Sequence, residues 1–323
     1  MAHQIRVFRR GAVYHVTNQT YRGELRLSPG RVVNLLVEGC LGKAARKYGV
    51  RLSAFIIMGN HFHLILQAPR YNLDRFMEYF QRELSWRLNR SRGVGATNFP
   101  LRYQAEEIGS VEDFERLVAR ILCNPVRARL VGAADQWPGV SSLDMHRSGE
   151  PRRVVRHATR TQAEDIHVHG LSAELERSLE PVDLELSPPP FWAELDFGEV
   201  QARISALVDA EQERLQAEIE RSAERVVGPN RIERESHDDR PDRVCWRAPT
   251  RVISRDPDFE AAYHAWYEDV RTRYRRSARR WRQHREWRDY PPGTFPPGWP
   301  TCIPPSSRAG PRLPWQPPVL EVA

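Results

Sequence analysis

The chain has 323 residues and a formal net charge of +7, and its basic excess is almost wholly arginine, the only lysines being Lys43 and Lys47. That length exceeds one small core and suits one or two domains with linkers. A pI of about 9.5 favours a polyanionic partner, and arginine suits bidentate contacts to phosphate, although an arginine-rich coding bias gives the same composition. Four isolated cysteines, Cys40, Cys123, Cys245 and Cys302, exclude a zinc ribbon or a disulfide framework. No apolar run approaches the roughly 20 residues of a membrane span. The start MAHQIRVFRRG lacks the apolar stretch of a signal peptide. A soluble, reduced, cytoplasmic protein with no membrane partner is expected.

In chain order, GAVYHVTNQT (11 to 20) alternates in the strand manner after a glycine. Residues 31 to 48 place Val32, Leu35, Leu36, Cys40, Leu41 and Ala45 at helical spacing, after Ser28-Pro29 and before Gly49. RLSAFIIM and FHLILQA predict two strands split by a tight turn at Gly59-Asn60. A helix is predicted from Leu73 to Leu88 on Phe76, Tyr79, Phe80 and Leu84, then a short strand at RYQAEEI. A further helix over 111 to 123 carries the stripe Phe114, Leu117, Val118 and Ile121, and its acidic first turn suits the helix dipole.

This order predicts an α+β domain over 1–145, an antiparallel sheet with helices packed on it. Residues 146–195 mix charge with prolines and predict a linker with little core. Residues 196–290 predict a mainly helical, basic C-terminal region, with one stripe on Val200, Ile204, Leu207, Val208, Leu215 and Ile219. Residues 291–323 are proline-rich and predict an extended or disordered tail.

The chemistry concentrates in FIIMGNHFHLILQ, residues 55 to 67. Alternate residues of a strand share a face, so His61 and His63 project together with Phe62 opposite, about 6 to 7 Å apart along the strand. Two such imidazoles can grip one metal ion if a third ligand comes from elsewhere, and oxygen donors favour magnesium or manganese. An isolated pair of this kind also serves purely structural ends, and the spacing alone leaves both open. A second HxH, His167 and His169 in TQAEDIHVHG, lacks strand context. No Gly-rich phosphate loop of the P-loop kind occurs, so a nucleoside triphosphatase is excluded.

GAVYHVT, MGNHFHLIL, RYQA, CNPVRARLV and WPGVSS, with helices between them, together resemble the REP-associated single-tyrosine transposases of the HUH nuclease superfamily. The likeness runs from residue 8 to about 145. It implies a ferredoxin-like sheet, His61, His63 and Asn124 as ligands of a divalent Mg²⁺ or Mn²⁺, and single-stranded or hairpin DNA as partner. It implies strand cleavage and rejoining in DNA transposition through a tyrosine ester, the metal polarising the scissile phosphate, in proteins that often act as homodimers. The family tyrosine falls four residues before the amide, one helical turn away; here that position is Arg120. A guanidinium binds phosphate but cannot attack it. Three readings follow: a strand-transferring enzyme with a substitute nucleophile, Tyr103 or Tyr79; a catalytically silent DNA-binding protein; or a nuclease that uses water. Arg129 stands where the family pattern has glycine, at an expected left-handed helix end. Further DNA contacts are expected from Arg102 and Arg127, and from Arg275, Arg276, Arg279, Arg280 and Trp281, where arginines alternate with aromatic faces able to stack on bases.

Overall fold

The computed structural model describes residues 5–9, 11–222, 225–241, 250–284 and 290–294. Cys245, Cys302, Trp287 and nearly all of the proline-rich tail lie outside them. The first unit runs β1 (Val13–Gln19), α1 (Arg31–Tyr48), β2 (Arg51–Ile57), β3 (His61–Gln67), α2 (Leu73–Arg92), β4 (Gln104–Ile108) and α3 (Val111–Leu122). A short α4 (Asn124–Arg127) and α5 (Leu143–Ser148) follow. The sheet order is β2-β3-β1-β4 with antiparallel neighbours, the ferredoxin-like arrangement of an α+β fold.

Local chemistry accounts for the boundaries. Gly49 closes α1 at φ +63°, a left-handed value that favours glycine. The Ser110 hydroxyl accepts the Asp113 amide hydrogen and caps α3, with Glu112 and Asp113 in the first turn. Gly59-Asn60 joins β2 to β3, and the hairpin closes with the Met58 amide donating to His61 O at 2.8 Å. Arg129 does adopt a left-handed φ of +58°. Its amide donates to Val126 O and that of Leu130 to Pro125 O, the paired bonds that end a helix of this type.

Each face of the sheet covers a separate core. Tyr14, Val16, Leu52, Phe55, Phe62, Leu64 and Leu66 pack under α1 and α2. Val13, Ala54, Ile56 and Ile65 pack under α3. The change of parity within β2 follows from a register shift between Leu52 and Ala54, a bulge that turns the remaining side chains over.

The segment 146–195, expected as a linker with little core, is folded. Here β5 (Arg152–His157) and β6 (Glu180–Glu185) form a two-stranded sheet, joined through α6 (Arg160–His169) and α7 (Ala173–Ser178). Val155, Val182 and Leu184 reach the first core. Gly39 lets α1 approach this sheet, since a Cβ there would sit 2.2 Å from Arg156 O. The sequence hid this because each strand carries few apolar residues and borrows its core from α1.

The C-terminal half contributes α8 (Phe197–Ser222), a short α9 (Pro229–Ile232), β7 (Val252–Ile253) and α10 (Pro257–His284). Val200, Ile204, Val208 and Leu215 of α8 complete the core beneath α3. β7 joins β4 in parallel, Glu107 opposite Val252 and Ile108 opposite Ile253. Tyr263, Trp266, Tyr267 and Val270 of α10 pack with Val252 and Val7, and the Tyr267 hydroxyl donates to Ile5 O at 2.7 Å. The opposite sheet edge is covered as well: Ile56 bridges Ser141, Leu52 bridges Leu186, and the Ser187 amide donates to Leu52 O at 2.7 Å. Among the described residues no helix is long and apolar enough to cross a membrane.

Candidate functional site

His61 and His63 share one side of β3, the side under α3, while Phe62 between them is fully buried in the core under α1 and α2. Both histidines are half-buried, their ring centroids 5.0 Å apart and nearly perpendicular. Asn124 opens α4 directly after Cys123 ends α3. Pro125 follows it at a first-turn position, where its missing N–H costs nothing. This break in the helix brings the Asn124 amide to 3.1 Å from His61 Nε2. Asn124, 61 residues beyond His63 in sequence, thus lies against His61 on β3.

The electrostatics set the histidine charge. Desolvation pushes His61 down to about 4. His63 is pushed well below its ordinary value by desolvation first, then by the charges of His61, His15 and Arg120. Near neutral pH both rings are therefore neutral, the form that ligates a metal. The Asn60 side-chain oxygen lies 2.6 Å from His61 Nδ1, and the Asn60 amide nitrogen donates to Gly23 O at 3.2 Å. That pairing fixes which end of the amide meets the ring, so His61 Nδ1 donates and its lone pair is at Nε2, facing Asn124.

Among the described residues, no group of three or more His, Cys, Asp or Glu side chains is placed to hold a metal ion. The donor set that fits one is two imidazoles and an amide. The amide turns its oxygen toward the ring nitrogens by a half-rotation, giving a mixed nitrogen and oxygen site of the kind magnesium or manganese accepts.

Arg120 occupies the last turn of α3 and is exposed. Its charge acts on His63 and on Glu211 of α8. Neither tyrosine considered as a substitute faces the histidines. Tyr103 is buried in the core under α1 and α2, with the Arg6 guanidinium 3.6 Å over its ring. Burial raises the ionisation of its hydroxyl far above the ordinary value. Tyr79 packs on the same core beside Tyr48, ring centroids 5.7 Å apart. Tyr103 thus lies in the core under α1 and α2, on the face of the sheet away from His61 and His63.

Arg127 is engaged by Glu211. Arg275, Arg276, Arg279 and Arg280 are exposed on the side of α10 away from Tyr263, Trp266, Tyr267 and Val270, and Trp281 is half-buried. Arg102 is exposed, and its charge reaches Tyr274 of α10. His167 and His169 lie on the helix α6, where residues two apart diverge rather than share a face.

Two residues were not singled out from the sequence. His15, on the same side of β1, has Nε2 2.9 Å from His63 Nδ1. Glu106 of β4 meets His15 Nδ1 at 3.2 Å. Burial works against ionising Glu106, but hydrogen bonds from His15 and Thr250 outweigh it and hold the carboxyl below its ordinary value. His15 sits on a predicted strand at the parity of Val13, and that parity was the available signal.

No family model matches the sequence, and no curated protein matches it. Among the solved structures similar to this chain is a REP-associated tyrosine transposase bound to a REP hairpin. It is 16% identical, covering 46% of this chain and 86% of that one, with a TM-score of 0.41. At that identity and superposition the likeness is distant.

Proposed function

We propose that this chain is a transposase-like DNA-binding protein that holds a single-stranded or hairpin DNA phosphate at a divalent cation, Mg²⁺ or Mn²⁺, carried by His61, His63 and Asn124. The observation that carries this reading is the 3.1 Å approach of the Asn124 amide to His61 Nε2 beside His63, which assembles neutral donors from β3 and α4. A bound divalent cation there polarises a phosphate and stabilises developing negative charge. This chain's own residues do the rest. Asn60 orients His61, and Arg120 offers a guanidinium suited to a phosphate oxygen. The exposed arginines of α10 and Arg102 extend a basic surface for backbone contacts, a binding mode that weakens with salt.

The silent reading is favoured over tyrosine-ester strand cleavage. Position 120 carries no hydroxyl, and Tyr79 and Tyr103 belong to the core on the other face of the sheet. An arginine there binds the phosphate that a tyrosine would attack.

The test mixes the full chain with a labelled single-stranded hairpin and Mn²⁺, beside His61→Ala and Arg120→Tyr. Binding without a covalent adduct is expected from the native protein, weaker binding from His61→Ala, and an adduct from Arg120→Tyr. A covalent protein–DNA band from the native protein would overturn the silent reading. Absence of hairpin binding by the native protein would overturn DNA as the partner.

A further inference from the structure

Behind the histidine pair runs a second line of polar side chains, drawn from β1, β4 and the segment before β7. His15 Nε2 lies 2.9 Å from His63 Nδ1, and His15 Nδ1 lies 3.2 Å from Glu106 Oε2. The His15 and His63 rings lie edge to edge and nearly coplanar, centroids 5.1 Å apart at 14°. The side chains of His15 and Glu106 are 9% and 13% exposed, so water competes little for these contacts. The other carboxylate oxygen of Glu106 accepts the Thr250 amide hydrogen at 3.0 Å and the Thr250 hydroxyl.

With His15 taken as neutral, valence places the protons along this line. A carboxylate only accepts, so His15 Nδ1 carries a hydrogen. In the neutral ring, Nε2 then holds a lone pair and accepts. The hydrogen between the two rings must come from His63 Nδ1, which leaves the His63 lone pair on Nε2. Asn60 produces the same result at His61 by a separate route.

We infer that Glu106 and His15, clamped by Thr250 from the C-terminal half, are positioning residues that hold His63 as its Nδ1–H tautomer, so that both histidines present Nε2 to one cation. The inference rests on the metal reading for its purpose, and on hydrogen-bond geometry for the tautomer itself. A ligating histidine whose other nitrogen donates to an acceptor is fixed in orientation and made more basic, and losing such an outer partner costs about 10- to 100-fold in metal affinity. Here the acceptor is a second imidazole backed by a carboxylate, and the carboxylate is held by a residue 144 positions away.

Two measurements on the ¹⁵N-labelled full chain test this. Long-range ¹H–¹⁵N correlations of the metal-free protein read the tautomer of each histidine, and Mn²⁺ titration followed by electron paramagnetic resonance reads affinity. The native protein is expected to show Nδ1–H at His61 and at His63. His15→Phe, which keeps a ring at position 15 but no acceptor, shifts His63 toward Nε2–H, leaves His61 unchanged and weakens Mn²⁺ binding about 10- to 100-fold. Glu106→Leu gives the same direction of change should His15→Phe fail to fold, and Thr250→Val a smaller loss because the amide contact remains. An Nε2–H tautomer at His63 in the native protein overturns the inference, as does an unchanged tautomer in both His15→Phe and Glu106→Leu. If the tautomers respond as expected and the native protein takes up no Mn²⁺, the metal reading falls while the relay stands.

Discussion

The two faces of the central sheet are built from the same strands to different ends. On the α1 and α2 side, alternate residues of β3 are Phe62, Leu64 and Leu66, all fully buried. On the α3 side the matching positions are His61, His63 and then Ile65, so only one of the three contributes apolar packing to the second core. The neighbour β1 repeats the division, with Tyr14 and Val16 against Val13 and His15. The lesson is one of allocation along a period of two. One face supplies the burial that keeps the sheet folded, which releases the other to carry polar groups that packing alone would reject.

Core truncation is the strongest way to break this division. Phe62→Ala removes a fully buried ring flanked by Phe80 and Phe99, each 5.7 Å away centroid to centroid. A loss of about 3 to 5 kcal/mol is expected in urea unfolding; a loss below 1 kcal/mol would mean that this face does not carry the fold. Acid probes the same side more gently. His157 is buried with the Arg87 guanidinium 3.1 Å from its Nε2, and desolvation first, then the charges of Arg87 and Lys43, push it down to about 4. The unfolded ring takes its proton near pH 6.5 and the folded ring only near 4. The contribution is complete above about 6.5 and falls as the pH drops toward 4, by about 1.4 kcal/mol per pH unit for this group. His157→Gln is expected to flatten the stability profile between pH 6.5 and 4 by that amount, and an identical slope in the variant would sink the assignment. The smallest effect belongs to the other face: His61→Ala is expected to change stability by less than about 1 kcal/mol at pH 7.5, because His61 is half-buried and outside both apolar cores. A change comparable to that of Phe62→Ala would erase the distinction between the faces.

Much of the first unit was legible because its signals are local. The stripe on α1 and the glycine after it, the acidic start of α3 and the Gly59-Asn60 turn each act within a few residues. The shared face of His61 and His63 follows from the geometry of a single strand. The β5–β6 sheet was hidden because its stability comes from contact with α1, made possible by Gly39, and no short window of sequence contains that contact. His15 and Glu106 escaped for a related reason. Their chemistry depends on register, Thr17 facing His63 and His15 facing Glu106, and register between distant strands is a tertiary property. Arg120 differs: it falls in the last turn of α3, four residues before Asn124, as its spacing in the sequence has it, and its side chain is exposed.

The pairing of β7 with β4 bears on how the chain is made. Glu106 and the Thr250 that holds it are separated by 144 residues. Synthesis at about 5 to 20 residues per second leaves the β4 edge without its cover for roughly seven to thirty seconds after β4 itself emerges. An uncovered strand edge templates pairing with other chains. Each nascent molecule therefore passes through an interval in which the sheet is formed but unsealed, and a chain cut short before Arg251 would remain in that interval permanently.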